Sequence, residues 1–316
     1  MPSSARASVT VQAPATVGNF GPGFDVTSLA LADLGDTLTL EVAPEDQITL
    51  AGPGSQELPT AWHENLVGPT LDALRTQAGI EDGLHVHIEK PRPAGSGLGS
   101  SASSAGGAAL ALHALFPEAG FTKADLVAAA GRAEGKGQAA HYDDVGAVIQ
   151  GGLSLVEPGP EGLTLARIAP PGDLVLGVVV PAFALPTHRM REVLPEAVPR
   201  QDAVANLARL ARLVDACHRG DVPAMGRAFV DAIATPHRKR LIPFYDDARH
   251  AALEAGAHGA GLSGSGPSMV ALCQDEGTAK RCAGAMARAC QAHDVHAEAL
   301  VAHPEHEVPY DVVTMR

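Results

Sequence analysis

One stretch constrains this chain more than any other: Pro93-Ala-Gly-Ser-Gly-Leu-Gly-Ser-Ser-Ala-Ser103, in which Gly95, Gly97 and Gly99 alternate and Ser100 and Ser101 follow. Upstream, Gly83-Leu-His-Val-His-Ile-Glu-Lys90 sets Leu84, Val86 and Ile88 at the two-residue period of a strand buried on one face. Downstream, small helix-compatible residues run to Phe116. The order is strand, glycine loop, helix. A loop without β-carbons lets backbone N–H groups close on an anion, and a helix start adds unpaired N–H groups and the positive end of its dipole. The stretch therefore predicts a phosphate cradle. It is not a Walker A loop, because no Gly-Lys-Ser/Thr closes it, and it lacks the G-x-G-x-x-G of dinucleotide folds. A flexible Gly/Ser linker is the bland alternative, and the patterned segments on both sides weigh against it.

The 316 residues suffice for two domains, each with its own core. No apolar run reaches the roughly 18 residues that a membrane span needs. The N-terminal Met-Pro-Ser-Ser-Ala-Arg lacks the apolar stretch of a secretory signal. Cys217, Cys273, Cys282 and Cys290 form no C-x-x-C pair and share no zinc-finger spacing with histidine. They read as buried or idle thiols of a cytoplasmic protein. A net charge of −13 argues against nucleic acid and against an anionic membrane surface as partners. An anionic substrate must then be met locally, by arginine, lysine, helix ends or Mg²⁺.

Strands are expected over 9–13, 37–42, 47–51, 84–89, 153–156, 174–180, 269–273 and 295–300. Thr122-x-x-Asp125 resembles a capping box and opens a helix to about Glu134. Val204, Leu207, Leu210, Ala211 and Val214 are spaced for one apolar helix face. Asp221 and Pro223 begin a helix expected to run through Phe229 and Ile233, with further helices over 246–255 and 278–292. Strands and helices mix without a βαβ rhythm, which favours an α+β fold. Pro158, Gly159, Pro160, Gly162 and Pro170-Pro171-Gly172 punctuate the middle of the chain, which gives domains of 1–165 and 166–316. His85 and His87 share one strand face and are expected to face solvent. Ser263 is not a hydrolase serine, because Ser265 stands where G-x-S-x-G requires glycine.

Two further glycine-rich segments flank the cradle in sequence: Pro14-Ala-Thr-Val-Gly-Asn-Phe-Gly-Pro-Gly-Phe-Asp25 and Gly261-Leu-Ser-Gly-Ser-Gly-Pro-Ser268. The three together, in this order and spacing, resemble the GHMP kinases, a superfamily that includes galactokinase, homoserine kinase and mevalonate kinase. Within it the likeness is greatest to the homoserine kinases. The segment His141-Tyr-Asp-Asp-Val-Gly-Ala-Val-Ile-Gln-Gly-Gly152 is similar to their His-x-Asp-Asn-Val-Ala-Pro-x-x-x-Gly-Gly. Thr187-His-Arg-Met-Arg-Glu-Val-Leu-Pro195 and Pro236-His-Arg-Lys-Arg-Leu-Ile-Pro243 resemble two more of their segments, and place Arg191 and Arg238 on family arginines.

The resemblance implies a two-domain GHMP kinase fold with a ferredoxin-like C-terminal domain and the site between the two. It implies ATP and Mg²⁺, and L-homoserine as the acceptor on the route to threonine; it also leaves room for a homodimer. Pro93, Gly95, Gly97, Leu98, Gly99, Ser100, Ser101, Ala102 and Ser103 would bind ATP, and Ser100, Ser101 and Glu134 the metal. Asn19, Asp25, His141, Asp144, Arg191, Arg238 and Gly264 would bind substrate, with Asp144 and His141 as catalytic groups. The chemistry is consistent with this. A carboxylate is matched by the two-pronged guanidinium, an ammonium needs acceptors such as Asp25 and Asn19, and Mg²⁺ takes few protein oxygens. Two residues depart from the family pattern. Asp144 stands where asparagine is usual, and a carboxylate can accept a proton where an amide cannot. Gly18 stands where alanine is usual, a change expected to be mild. A sibling kinase acting on another small hydroxy acid, or a non-catalytic binding protein on the same scaffold, are the alternatives.

Overall fold

The computed structural model describes residues 8–315 apart from 57, 94, 136–139 and 184. Its described strands form three four-stranded sheets. The first contains β1 (Ser8–Gln12), β4 (Thr37–Ala43), β5 (Gln47–Ala51) and β6 (Gly83–Glu89) in the order β1-β4-β6-β5, antiparallel except for β5 against β6. The second contains β2 (Ala15–Gly18), β3 (Thr27–Leu31), β7 (Leu153–Gly159) and β8 (Gly162–Ile168), antiparallel in the order β2-β3-β7-β8. The third contains β9 (Val175–Pro181), β10 (Gly259–Leu262), β11 (Met269–Cys273) and β12 (Ala297–Ala302) in the antiparallel order β10-β11-β9-β12. With helices between β9 and β10 and between β11 and β12, the third sheet is the expected ferredoxin-like unit.

The first half carries α1 (Val67–Ala78), α2 (Ser100–Leu115), α3 (Lys123–Gly135) and α4 (Asp143–Gln150). The second carries α5 (Thr187–Glu192), α6 (Arg200–His218), α7 (Val222–Ala228), α8 (Thr235–Arg238), α9 (Tyr245–Glu254), α10 (Glu276–Ala292) and α11 (Pro309–Met315). Helix α2 begins where the glycine loop ends, and 14 of its 16 residues are buried. Its small residues explain how. A β-carbon on Gly106 would meet Val148 of α4, and one on Gly107 would meet Leu38 of the first sheet and Ala13. The helix is therefore clamped on two sides, which fixes the direction in which its N-terminus points. The expected box at α3 forms: Thr122 N–H donates to Asp125 at 2.8 Å and Asp125 N–H to Thr122 Oγ1 at 3.2 Å.

Several elements differ from the sequence expectation. The strands β2 and β3 were not anticipated, because both are buried along their whole length and so show no alternation. The expected apolar face of α6 is not its buried one. Val204 and Leu207 are 60% and 66% exposed, while Asn206, Leu213, Ala216 and Cys217 turn inward. Helix α7 stops at Ala228 rather than continuing to Ile233, because the Asp231 carboxylate takes the N–H groups of Ile233, Ala234 and Thr235 and starts a new turn. The strand β8 continues through 165/166 and ends at Ile168, with Leu163 and Leu165 packed on the first core. After β12 the chain returns to the first half, where Tyr310 Oη on α11 donates to Phe121 O at 2.6 Å. All four cysteines are buried and free. His85 and His87 both hydrogen-bond to Thr49, with His87 exposed and His85 half-buried.

Candidate active site

The glycine loop, the start of α2, the first turn of α4 and the second-half segments around Arg191, Arg238 and Gly264 line one solvent-open cleft with about 1400 Å³ of empty space. The end of the cleft at the glycine loop is made mostly of backbone. Gly95, Gly97 and Gly99 have φ of 76°, 87° and 62°, a region that other residues enter only with strain. A β-carbon on Gly97 would lie 2.8 Å from the carbonyl oxygens of both Ser263 and Gly266. The third glycine segment is thus pressed onto the loop, and it is bonded there as well. Ser263 Oγ donates to Gly97 O at 2.7 Å and Ser268 N–H to Ser96 O at 3.2 Å. No side chain caps α2, so the first N–H groups of this buried helix remain open to a ligand.

Ser100 Oγ is buried without a partner, and Ser101 Oγ donates to Glu134 Oε1 at 2.5 Å. Burial pushes the Glu134 carboxyl up to about 7 against the bond from Ser101, with the Asp144 charge adding to the rise. Other residues expected to touch ATP lie elsewhere. Pro93 is exposed and off the cleft, and Leu98 and Ala102 turn into the core. Ser103 is fully buried, its Oγ donating to Ala13 O at 3.1 Å and accepting from Asp36 N–H at 2.9 Å. These three shape the helix start rather than face the cleft. Ala94 lies outside the described residues.

A second, mainly apolar pocket with a cavity volume of about 170 Å³ opens beside the cleft and shares Leu66, Ser100 and Ser101 with it. Leu50, Leu58, Pro59, Asn65 and Ile88 line it. Together the two hollows suit a ligand with a flat apolar end and an anionic end. The sequence reading missed this pocket, because residues 58–66 have no periodicity and become a wall only against β5 and β6. Lys90 was missed too. Its buried Nζ reaches Asp36 Oδ2 and Ser104 Oγ at 2.6 Å each and Ser100 O at 3.1 Å, pinning the first turn of α2 to the first sheet.

The opposite end of the cleft is made of side chains. Asn19 and Asp25 adopt left-handed φ of 59° and 55°, unusual for residues with a β-carbon. Asn19 Oδ1 accepts from Asp25 N–H at 2.9 Å, which leaves Nδ2, a donor, as its remaining group. Arg191 grips Asp25 with two bonds of 2.7 and 3.1 Å and donates to His141 Nδ1 at 2.9 Å. Because guanidinium can only donate, His141 is neutral there, with its proton on Nε2. Burial and the Arg191 charge both hold the imidazole below its usual range. Arg238 is buried, with Nε donating to Met190 O at 3.1 Å and Nη1 to Gly264 O at 3.3 Å. Burial and the neighbouring Arg191 lower it to about 10, so it stays cationic at neutral pH. The Phe24 ring, which the sequence reading overlooked, carries both guanidiniums, at 5.8 Å for Arg191 and 5.3 Å for Arg238.

Asp143, also overlooked, lies buried at the start of α4, and burial followed by the adjacent Asp144 charge raises it well above the carboxylate range. Burial raises Asp144 as well, opposed by hydrogen bonds from Thr16 and Ser28. The two departures from the family pattern prove to be neighbours. A β-carbon on Gly18 would lie 2.7 Å from Asp144 Oδ2 and 2.8 Å from Oδ1, so Gly18 is not a mild change but the space that the carboxylate occupies. No group of three or more His, Cys, Asp or Glu among the described residues could hold a metal ion. A cation here would need substrate oxygens to complete its shell. No described helix is long and apolar enough to cross a membrane.

Residues 65–152 match the family described as GHMP kinases N terminal domain, and residues 213–292 match GHMP kinases C terminal. The chain is 40% identical to a homoserine kinase of Halorubrum lacusprofundi over 84% of its own length and 87% of that protein. It is 37% identical to a homoserine kinase of Pyrococcus abyssi over 83% and 86%. Among solved structures, a homoserine kinase from Cytophaga hutchinsonii superposes with a TM-score of 0.88 at 31% identity, covering 97% of this chain and 98% of that one. A mevalonate kinase from L. major, 17% identical, shares the fold with a TM-score of 0.67 over 97% and 100% of the two chains.

Proposed function

The chain belongs to the homoserine kinase family of the GHMP kinases, and on that premise we propose that it transfers the γ-phosphoryl group of ATP to the hydroxyl of L-homoserine. One observation carries the reading. Arg191, Arg238 and Asp25, the last paired with Arg191, share a single hollow with the glycine loop and the start of α2. A zwitterion and a triphosphate can therefore be held side by side. The substrate carboxylate goes to the two guanidiniums, which already lie over one ring. The ammonium goes to Asp25, released from Arg191 as the carboxylate takes its place. His141 Nε2–H is a donor for the substrate carboxylate or hydroxyl. The apolar pocket receives the adenine, and the open N–H groups of α2 receive the phosphates.

Mg²⁺ fits the residues present, since Ser100 Oγ is buried and unpartnered and the Ser101–Glu134 pair supplies further oxygens. When bound, the ion neutralises phosphate charge. Asp144 takes the proton of the acceptor hydroxyl while that oxygen bonds to the γ-phosphorus and the bond to the β-phosphate bridge breaks, so that ADP leaves. The test compares L-homoserine with 4-hydroxybutanoate, which keeps the carboxylate and alcohol and lacks the ammonium, in an ADP-release assay. Turnover of homoserine to its O-phosphate, with the hydroxy acid far poorer, is the expected result. Efficient phosphorylation of the hydroxy acid alone would move the protein to another acceptor.

A further inference from the structure

Thr16 and Gly18 are two residues apart on β2, so they face the same side of the second sheet. Ser28 on β3 is the cross-strand partner of Gly18 and joins them on that side. The first turn of α4 is packed on this small triangle. Asp144 Oδ1 accepts from Thr16 Oγ1 at 2.5 Å and from Ser28 Oγ at 2.7 Å. Both donors are buried completely. Gly18, lacking a β-carbon, lets the carboxylate settle against the strand.

Thr16 also reaches the phosphate end. Its N–H donates to Leu98 O at 3.1 Å, and its Oγ1 occupies the space that a β-carbon on Gly99 would need. One threonine thus touches both the residue that begins the phosphate-binding helix and the carboxylate at the acceptor end. Neither hydroxyl lines the cleft, so neither is placed to meet a substrate.

We propose that Thr16 and Ser28 are positioning residues for phosphoryl transfer, holding Asp144 Oδ1 on the seat that Gly18 leaves open so that Oδ2 faces the acceptor hydroxyl. The proposal rests on the reading of Asp144 as proton acceptor given above. Two donors fix one oxygen of a carboxylate and leave the other as the only free acceptor. A carboxylate held in this way needs no rearrangement when the substrate arrives. Through Thr16, its distance from the phosphate loop is set by a single side chain.

The test measures kcat and the KM values for homoserine and ATP in Ser28→Ala, Thr16→Val, Thr16→Ser, Gly18→Ala and Asp144→Asn. Ser28→Ala and Thr16→Val are expected to lower kcat about tenfold or more, the size for losing a hydrogen bond to a charged group, and Gly18→Ala to lower it as well, because its β-carbon displaces the carboxylate. Both KM values should stay within about twofold, well inside the tenfold that 1.4 kcal/mol represents. Thr16→Ser keeps the hydroxyl and should retain most of the parent kcat, which separates positioning from a general loss of packing at this buried site. If Ser28→Ala and Gly18→Ala match the parent while Asp144→Asn is impaired, the seat is overturned and the proton-acceptor reading stands. If Asp144→Asn matches the parent, the proton-acceptor reading falls and Ser28→Ala decides the seat. A lowered kcat then shows that the hydroxyls position this side chain whatever its charge, and an unchanged kcat removes the proposal too.

Discussion

At the phosphate end the cleft is mostly backbone, from Gly95 to the first turn of α2, supplied by one contiguous stretch and braced by a second. At the acceptor end it is side chains, with Asp25, His141, Asp143, Asp144, Arg191 and Arg238 arriving from four separate segments. The phosphate end needs only glycine and a helix start, because a triphosphate offers the same oxygens to any N–H that faces it. On the proposed reading the acceptor end discriminates among small alcohols with charged groups, and in the structure two of these, Arg191 and Asp25, pair with each other. Changes at the acceptor end should therefore alter kcat or homoserine binding, and changes at the phosphate end should alter ATP binding or stability.

The largest expected effect breaks or confirms the chemical part of this division. Asp144→Asn keeps the shape, and its amide oxygen can still accept from Thr16 and Ser28, so only proton acceptance is removed. Steady-state kinetics should show kcat lower by about 10²–10⁴-fold, the usual worth of a positioned general base, with homoserine affinity nearly unchanged. An asparagine variant as fast as the parent would reduce catalysis to positioning and charge neutralisation.

Next comes the support under the phosphate end. Lys90→Met leaves Asp36 buried without its counter-charge, held only by the Ser104 hydroxyl, which should cost about 3–5 kcal/mol of stability. Chemical denaturation would read this directly, and the surviving folded enzyme should show a raised KM for ATP rather than for homoserine. Equal KM increases would mean that the two ends are not separately supported.

Smaller, and confined to the acceptor end, is the loss from Arg191→Ala. Homoserine binding should weaken by about 1.5–3 kcal/mol, the range for hydrogen bonds to charged groups, with ATP binding little changed. Arg238→Ala should weaken homoserine binding as well but also lower the melting temperature, because its Nε and Nη1 tie Met190 O to Gly264 O in the buried wall. Calorimetric titration of the two variants separates them.

The smallest effect tests the brace between the ends. Ser263→Ala removes the bond to Gly97 O, at a cost of about 0.5–1.5 kcal/mol for a neutral hydrogen bond. The KM for ATP is expected to rise modestly with kcat and homoserine binding preserved.

What the sequence determined alone was whatever one short stretch encodes. Alternating apolar residues before 93–103 and small ones after it give a strand, a phosphate loop and a helix, because each depends on neighbours within a few residues. The capping box at Thr122, three of the four strands of the third sheet and the arginines at 191 and 238 were legible in the same way, as local patterns or matched motifs, whereas β10, buried along its whole length, was not. Tertiary structure decided the rest. Ala102 and Ser103 sit inside the motif yet point into the core, since a helix turns successive side chains by about 100° and only packing chooses the face, and Leu98, in the loop before the helix, is buried as well. Asp143 and Phe24 show no periodic signal, and the apolar pocket joins residues 58–66 to β5 and β6 on either side of them in sequence. Gly18 and Asp144 were each visible as a departure from pattern, separated by more than a hundred residues. Only the pairing of β2 with β3 beneath α4 shows that one makes room for the other, because the 2.7 Å that would separate a β-carbon at position 18 from Asp144 Oδ2 is a property of the folded register and not of either residue.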